Sequence, residues 1–188
     1  MPVPTIKTVH ITNITEKQMC EKYPTRKDIR LTGFNYANSA SYFITICTVN
    51  RKNIFWNGLN AFVLSEAGEI VQREIAELPQ RFILTKVDKY VIMPDHIHLI
   101  ITLIGPAPGT DEVTPNIKNI IGSLKARISA QIGGGATVWQ KRFYDHVIRN
   151  DREYSDIWEY IEYNPYKFLD ERKYKSHPLK KIPKNTGL

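Results

Sequence analysis

Apolar positions along the chain follow two periods, one of two residues and one of three to four, and the switches between them divide the sequence into elements. Residues 41–49 are rich in β-branched and aromatic side chains and predict a strand. In 65–78, Ala67, Ile70, Val71, Glu74, Ile75 and Leu78 follow the i, i+3, i+4 spacing of an amphipathic helix with one polar slot, and Pro79 marks its exit. Strands follow over 86–93 and 96–103, and Pro94-Asp95 between them supplies a sharp turn, so the pair reads as an antiparallel hairpin. A second helix spans 116–131, with Ile117, Ile120, Ile121, Leu124 and Ile128 inside and Lys118, Lys125 and Arg127 outside; Gly133-Gly134-Gly135 ends it. Residues 139–149 are strand-like. Asn150 and Glu153 then form a capping box for a third helix, whose buried stripe is Tyr154, Ile157, Trp158 and Ile161. Pro165 disfavours the α conformation at Asn164, which predicts a bend or an end there.

The order β-α-β-β-α-β-α implies an α+β domain. Its expected form is one antiparallel sheet with helices packed on one face, in a ferredoxin-like or RNA-recognition-motif-like layout. Residues 1–36 lack a sustained period and read as a partly ordered N-terminal arm. The domain then occupies 37–170, and 171–188 form a lysine-rich tail.

Composition narrows the function. With 26 Lys and Arg against 19 Asp and Glu, the 188-residue chain carries a formal charge of +7, which favours a polyanionic partner. No apolar run approaches a membrane span, no signal-peptide pattern opens the chain, and Cys20 and Cys47 lack metal-site spacing; a soluble cytoplasmic protein is expected. Trp139, Lys141, Arg142 and Arg149, with Phe143 and Tyr144 among them, mix aromatic and basic side chains in a way that suits base stacking beside phosphate contacts. Arg26, Lys27 and Arg30 of the arm and Lys118 and Lys125 of the second helix extend the set of candidate DNA-binding residues.

Within the hairpin, His96 and His98 are two apart in a strand and emerge on the same face, offering two imidazoles to a divalent ion, while Ile97, Leu99, Ile101 and Leu103 make the opposite, buried face. Asn164 or Gln140 could add an amide oxygen, and Asp95 or Glu162 a carboxylate. On the third helix Tyr160 and Asn164 lie one turn apart on the shoulder of the apolar stripe, positioned to point into a site at the edge of the core. A phenol so placed can act as a covalent nucleophile toward phosphorus.

The segment from Val91 to His98, Val-Ile-Met-Pro-Asp-His-Ile-His, resembles the histidine–hydrophobe–histidine (HUH) motif of the single-tyrosine transposases. Residues 139–150 and 159–165 resemble the segments that follow it in the REP-associated tyrosine transposase branch, and the similarity runs from about 30 to 167 in the right order. The resemblance implies an HUH transposase domain acting as a single-strand DNA endonuclease and strand transferase through a 5′-phosphotyrosine intermediate. It implies Mg²⁺ or Mn²⁺ as cofactor and imperfect palindromes folded as DNA hairpins as partner. Carried over by position, Tyr160 matches the nucleophile, His96 and His98 the metal-binding histidines, and Asn164 the amide that completes the metal site. Either a monomer or a homodimer fits. A non-catalytic hairpin or single-strand binder on the same sheet is the rival reading, and a metal hydrolase with a water nucleophile is a third.

Overall fold

The computed structural model describes residues 40–58, 62–111, 113–133 and 137–176, with the backbone alone described over 171–176. The expected arm, including Arg26, Lys27 and Arg30, lies outside the described residues, as does the chain beyond 176.

Four strands, β1 (Ala40–Cys47), β2 (Thr85–Ile92), β3 (His96–Leu103) and β4 (Tyr144–Ile148), form a sheet in the order β2-β3-β1-β4, with every neighbouring pair antiparallel. Between and after them run α1 (Glu66–Ala76), the single-turn α2 (Leu78–Arg81), α3 (Ile117–Ile132) and α4 (Asp151–Ser176). β1-α1-β2 and β3-α3-β4 each cross over with one strand inserted between the two they connect, which is the split βαβ arrangement of ferredoxin-like folds. The α+β class and the antiparallel sheet are as expected.

The helices start where their caps dictate. Ser65 accepts the Gly68 amide at 3.1 Å and Asn116 the Lys118 amide at 2.8 Å. At α4, Asn150 accepts the Glu153 amide at 2.9 Å, and the Glu153 carboxylate reaches back to the Arg149 amide at 2.7 Å. Gly68 has a second role. A β-carbon there would collide with the Phe55 carbonyl oxygen, so α1 approaches the preceding loop as closely as it does only because position 68 is glycine.

Alternation along the strands gives the sheet two faces. Tyr42, Ile44 and Ile46 of β1 and Ile97, Leu99, Ile101 and Leu103 of β3 point to one of them and join Ile70, Val71 and Ile75 of α1 and Ile117, Ile120, Ile121, Leu124 and Ile128 of α3 in the main core. The polar slot of α1 is occupied by Glu74, only 1% exposed, whose carboxylate accepts from Arg81 at 2.7 Å, from Arg127 at 2.8 Å and from Gln131. Burial alone would push this carboxyl up; the hydrogen bonds from Arg127, Gln131 and Arg81 outweigh it and hold it below its ordinary range. Arg127 thus lies outside, as expected, yet its guanidinium ties α3 to α1.

One-sided helix packing is not what forms. α4 lies against β2 and β3 on the other face, where Phe43 and Ile100 are paired across β1 and β3 and are buried with Ile157 and Ile161 of α4. β3 is buried at positions of both parities, with His96, His98 and Ile100 on the second face, and α4 supplies the layer that covers them. Two further expectations for α4 change. Trp158 is 37% exposed, with the Lys89 ammonium 4.8 Å from its ring centroid, so the stripe narrows to Ile157 and Ile161 with Tyr154 half-buried beside them. The helix also continues through Pro165 to Ser176, so of the bend or end predicted at Asn164 the end does not occur. Beyond the proline, Phe168 packs edge-on to Trp56 with ring centroids 5.7 Å apart, and Phe168 and Leu169 rest against the core, so tertiary contacts hold the far half of the helix.

Candidate active site

The turn between β2 and β3 is clamped before any side chain of the site is considered. Pro94 O accepts the amides of Ile54 and Phe55 at 2.9 and 3.1 Å, and Asp95 O accepts the amide and the hydroxyl of Thr48 at 2.9 and 3.0 Å. β3 therefore leaves a fixed turn with its register set, and His96 and His98 project on the α4 side of the sheet, 3% and 2% exposed.

Each imidazole is held at Nδ1. The Asp95 carboxylate accepts from His96 Nδ1 at 2.5 Å, and its other oxygen accepts from Arg51 Nε at 2.9 Å. Register places Thr45 opposite His98, with its hydroxyl 2.8 Å from His98 Nδ1. The two Nε2 atoms consequently face each other, 3.1 Å apart. Burial first, then the nearby His96 and Arg51, pushes the His98 pKa well down, so this ring is neutral at physiological pH. Burial opposes ionisation of Asp95, but the hydrogen bond and charge of His96 and the Arg51 guanidinium outweigh it and keep this carboxyl below its ordinary range.

The donor set fits a divalent ion at its nitrogen end. With metal–nitrogen bonds of about 2.1 Å, two ligands 3.1 Å apart subtend roughly 95° at the ion, and both rings already carry the outer hydrogen bonds that orient ligating histidines. No group of three His, Cys, Asp or Glu side chains suited to a metal occurs among the described residues, so further ligands would have to be amide, water or substrate oxygens. Of the third-ligand candidates, Asp95 is committed to His96 Nδ1, Glu162 pairs with Lys89 on the surface, and Gln140 is exposed, its backbone N–H donating to Cys47 O. Asn164 is half-buried on α4, one turn beyond Tyr160.

Tyr160 completes the cluster. Its hydroxyl is 3.4 Å from His98 Nε2, its ring stands edge-on to Phe43 with centroids 6.0 Å apart, and Phe43 in turn stacks on His98 at 5.4 Å. The histidine strand and the tyrosine helix, 62 residues apart in sequence, thus meet within one chain.

No family model matches the chain. It is 32% identical over 158 residues to an uncharacterised protein of Haemophilus influenzae, an alignment covering 74% of this chain and 88% of the relative. It is 30% identical to the REP-associated tyrosine transposase of Escherichia coli K12 over 82 residues, 44% of this chain and 45% of that one, so the match spans less than half of the curated transposase. A solved structure of a REP-associated tyrosine transposase bound to a REP hairpin superposes with a TM-score of 0.54 at 24% identity, over 69% of this chain and 68% of that one. The chain is thus similar to REP-associated tyrosine transposases, in sequence over less than half of its length and in fold over about two thirds of it.

Among the described tyrosines, the geometry discriminates. Tyr163 is 54% exposed, Tyr154 bonds Asp88, and Tyr144 of β4 lies edge-on to Phe43 with ring centroids 6.1 Å apart, whereas Tyr160 reaches the histidine pair. The basic candidates separate as well. Lys118, Lys141, Arg142 and Arg149 are exposed, the last three flanking β4. Lys125 is half-buried and donates to the carbonyls of Gln140 and Lys141 at 2.7 and 3.2 Å, with burial lowering its pKa, so its ammonium ties α3 to the 140–141 segment. Trp139 is a correction. It is 3% exposed and packs on Phe55 with centroids 5.3 Å apart, because the segment before β4 bridges to Thr48 and turns the indole into the core, leaving no face for a base. Residues that carry the site but were not singled out from sequence are Phe43, Thr45 and Arg51. Their place depends on the β1–β3 register and on the turn after β1, and no local motif marks them.

Proposed function

We propose that the protein is a divalent-metal-dependent, single-strand DNA nicking and joining enzyme that binds hairpin DNA and works through a Tyr160–phosphate intermediate. The observation that carries this reading is the convergence of the Tyr160 hydroxyl and two mutually facing imidazoles at one buried end of the sheet. Partial sequence similarity to REP-associated tyrosine transposases supports it, as does the fold shared with one bound to a REP hairpin.

In the proposed reaction the phenol oxygen of Tyr160 forms the new bond to phosphorus and the bond to the 3′ oxygen breaks. The proton given up by the phenol balances the one taken by the leaving 3′ hydroxyl. Attack by another 3′ hydroxyl reverses these bonds, frees Tyr160 and conserves the phosphodiester. The chain's own residues prepare this step: Phe43 fixes the planes of the Tyr160 and His98 rings, and Ile157 and Ile161 anchor α4 so that the hydroxyl stays at the imidazoles. Mg²⁺ or Mn²⁺ held by His96 and His98, with Asn164 as amide donor, would supply Lewis-acid polarisation of the phosphate. Lys118, Lys141, Arg142 and Arg149 contribute phosphate contacts, which makes binding fall steeply with salt.

The test is incubation with labelled single-stranded DNA carrying a hairpin and a flanking segment, with Mg²⁺ or Mn²⁺. A denaturation-resistant adduct that Tyr160→Phe abolishes while retaining hairpin binding is expected. Equal adduct in both proteins overturns the nucleophile, and hairpin binding without adduct under any metal condition favours the non-catalytic binder.

A further inference from the structure

The turn that follows β1 brings a guanidinium to the histidine pair. Thr48 O accepts the Arg51 amide at 3.1 Å and Val49 O the Lys52 amide at 3.3 Å, while the Thr48 amide is bonded to Asp95 O. Within this turn Asn50 and Arg51 both adopt the left-handed conformation, with φ of 55° and 53°. Asparagine enters that region readily and arginine rarely; such strain persists where the surrounding structure over-determines it, and it clusters at active sites and ligand clamps. Arg51 is thereby folded back over the end of the sheet. Its Nε donates to Asp95 at 2.9 Å and its Nη1 to Cys47 Sγ at 2.8 Å, and Cys47 is the β1 residue paired with His96.

Arg51 is more than an anchor for Asp95. Its side chain is 40% exposed against 13% for the carboxylate, so its positive charge reaches solvent beside His96. One of its N–H groups is spent on a sulfur, a weak acceptor that a phosphate oxygen displaces. Tyr160 approaches the imidazoles from Phe43 and His98, whereas Arg51 stands at Cys47 and Asp95, beside His96. His96 lies one same-face strand step from His98, about 6.7 Å. Tyr160 and Arg51 thus flank the pair from opposite ends. In phosphoryl transfer the attacking and leaving oxygens are roughly in line. A phosphate lying over the imidazoles and attacked from the Tyr160 side therefore expels its 3′ oxygen toward Arg51.

We propose that Arg51 binds the 5′ phosphate of the nucleotide that departs with the 3′ hydroxyl, and so retains the cleaved strand for the joining step. The contact is a charge-assisted hydrogen bond from the guanidinium to a non-bridging oxygen, one nucleotide upstream of the cleaved bond. Arg51 makes and breaks no covalent bond. By holding the freed 3′ end beside the Tyr160–phosphate it makes the resealing attack effectively intramolecular. Retention rests on the proposed nicking reaction, whereas the contact with the intact strand does not require cleavage.

A methylphosphonate at that position removes the charge of the phosphate and tests the contact in the wild-type protein. The substrate is labelled single-stranded DNA bearing a hairpin, with Mn²⁺ and the full-length chain. Once the adduct has formed, release of the 3′-hydroxyl fragment is expected to be about 10- to 150-fold faster from the methylphosphonate strand, the range for a hydrogen bond to a charged group. Arg51→Gln should give the same acceleration on ordinary DNA, measured per adduct formed, and no further acceleration on the methylphosphonate strand. Unchanged release from the methylphosphonate strand overturns the proposal. Effects that multiply when the two changes are combined also overturn it, because a residue that acted only by anchoring Asp95 would be indifferent to that phosphate. The same cycle on uncut DNA in EDTA, read as equilibrium binding, separates this inference from the nicking reaction. Non-additive binding with no adduct under any metal condition leaves the Arg51 contact standing and overturns cleavage, and retention with it. An adduct together with fully additive binding overturns the contact and leaves the nicking reaction standing. Absence of hairpin binding overturns both.

Discussion

The Tyr160 hydroxyl lies 3.4 Å from Nε2 of His98, although one residue belongs to the last helix and the other to the third strand of a four-stranded sheet. Three contacts make that approach reproducible. The Pro94-Asp95 turn is pinned by backbone amides, Thr45 and Asp95 fix the imidazoles, and α4 is seated through Ile157 and Ile161. The site is therefore built mainly on regular elements, with the clamped Pro94-Asp95 turn and Arg51 in the turn after β1 joining them.

Replacing either histidine removes half of the nitrogen donor set. His96→Ala or His98→Ala is expected to weaken Mn²⁺ binding by more than the 10- to 100-fold typical of outer-shell changes, and adduct formation falls with it. Isothermal titration with Mn²⁺ reads this, and chelation of wild-type protein with EDTA should suppress the adduct to the same degree. Wild-type affinity in both variants would remove the metal from the mechanism.

The aromatic and basic residues around β4 should separate cleanly. Trp139→Ala is expected to destabilise the fold by about 3–5 kcal/mol, the range for truncating a buried large aromatic, measured by urea unfolding. Arg142→Ala should leave stability unchanged but weaken hairpin binding and reduce the slope of log affinity against log salt by about 1. The opposite pattern would return Trp139 to the DNA surface.

Glu74 gives a pH signature away from the site. Its folded-state pKa is lowered, so the unfolded chain takes up the proton first as pH falls. The stability it contributes is present above its unfolded pKa and is lost as pH drops through the lower folded value. Glu74→Gln should flatten that acid limb and cost about 1–3 kcal/mol at neutral pH, at the modest end for a buried ion pair because the Arg127 side chain is 48% exposed and can return to water. Thermal melts of both proteins between pH 3 and 7 measure the difference.

Much of this architecture is written in local pattern. The hairpin at Pro94-Asp95, the inner faces of α1 and α3 and the capping box at Asn150 need only spacing and turn chemistry, and the structure has each of them. What the pattern could not carry depends on how elements meet. Trp139 reads as a surface aromatic until its bridge to Thr48 turns it inward, and Trp158 reads as core until Lys89 covers its ring. Pro165 reads as a bend or an end of the helix until the docking of Phe168 is known. The pairing of His96 with His98 follows from a period of two, whereas the identity of the groups holding them follows from register. Asp95 accordingly enters the sequence reading as a possible ligand, and the structure has it as the partner of His96 Nδ1.

Of ten tyrosines in the chain, one is assigned the covalent role, and mass-spectrometric mapping of the DNA–protein adduct tests that assignment most directly. After nuclease and protease digestion, a nucleotide remnant is expected on the peptide containing Tyr160, on its phenolic oxygen, and absent from the Tyr160→Phe protein. A remnant on Tyr144, Tyr154 or Tyr163, or on any residue in the Tyr160→Phe protein at wild-type yield, would contradict it.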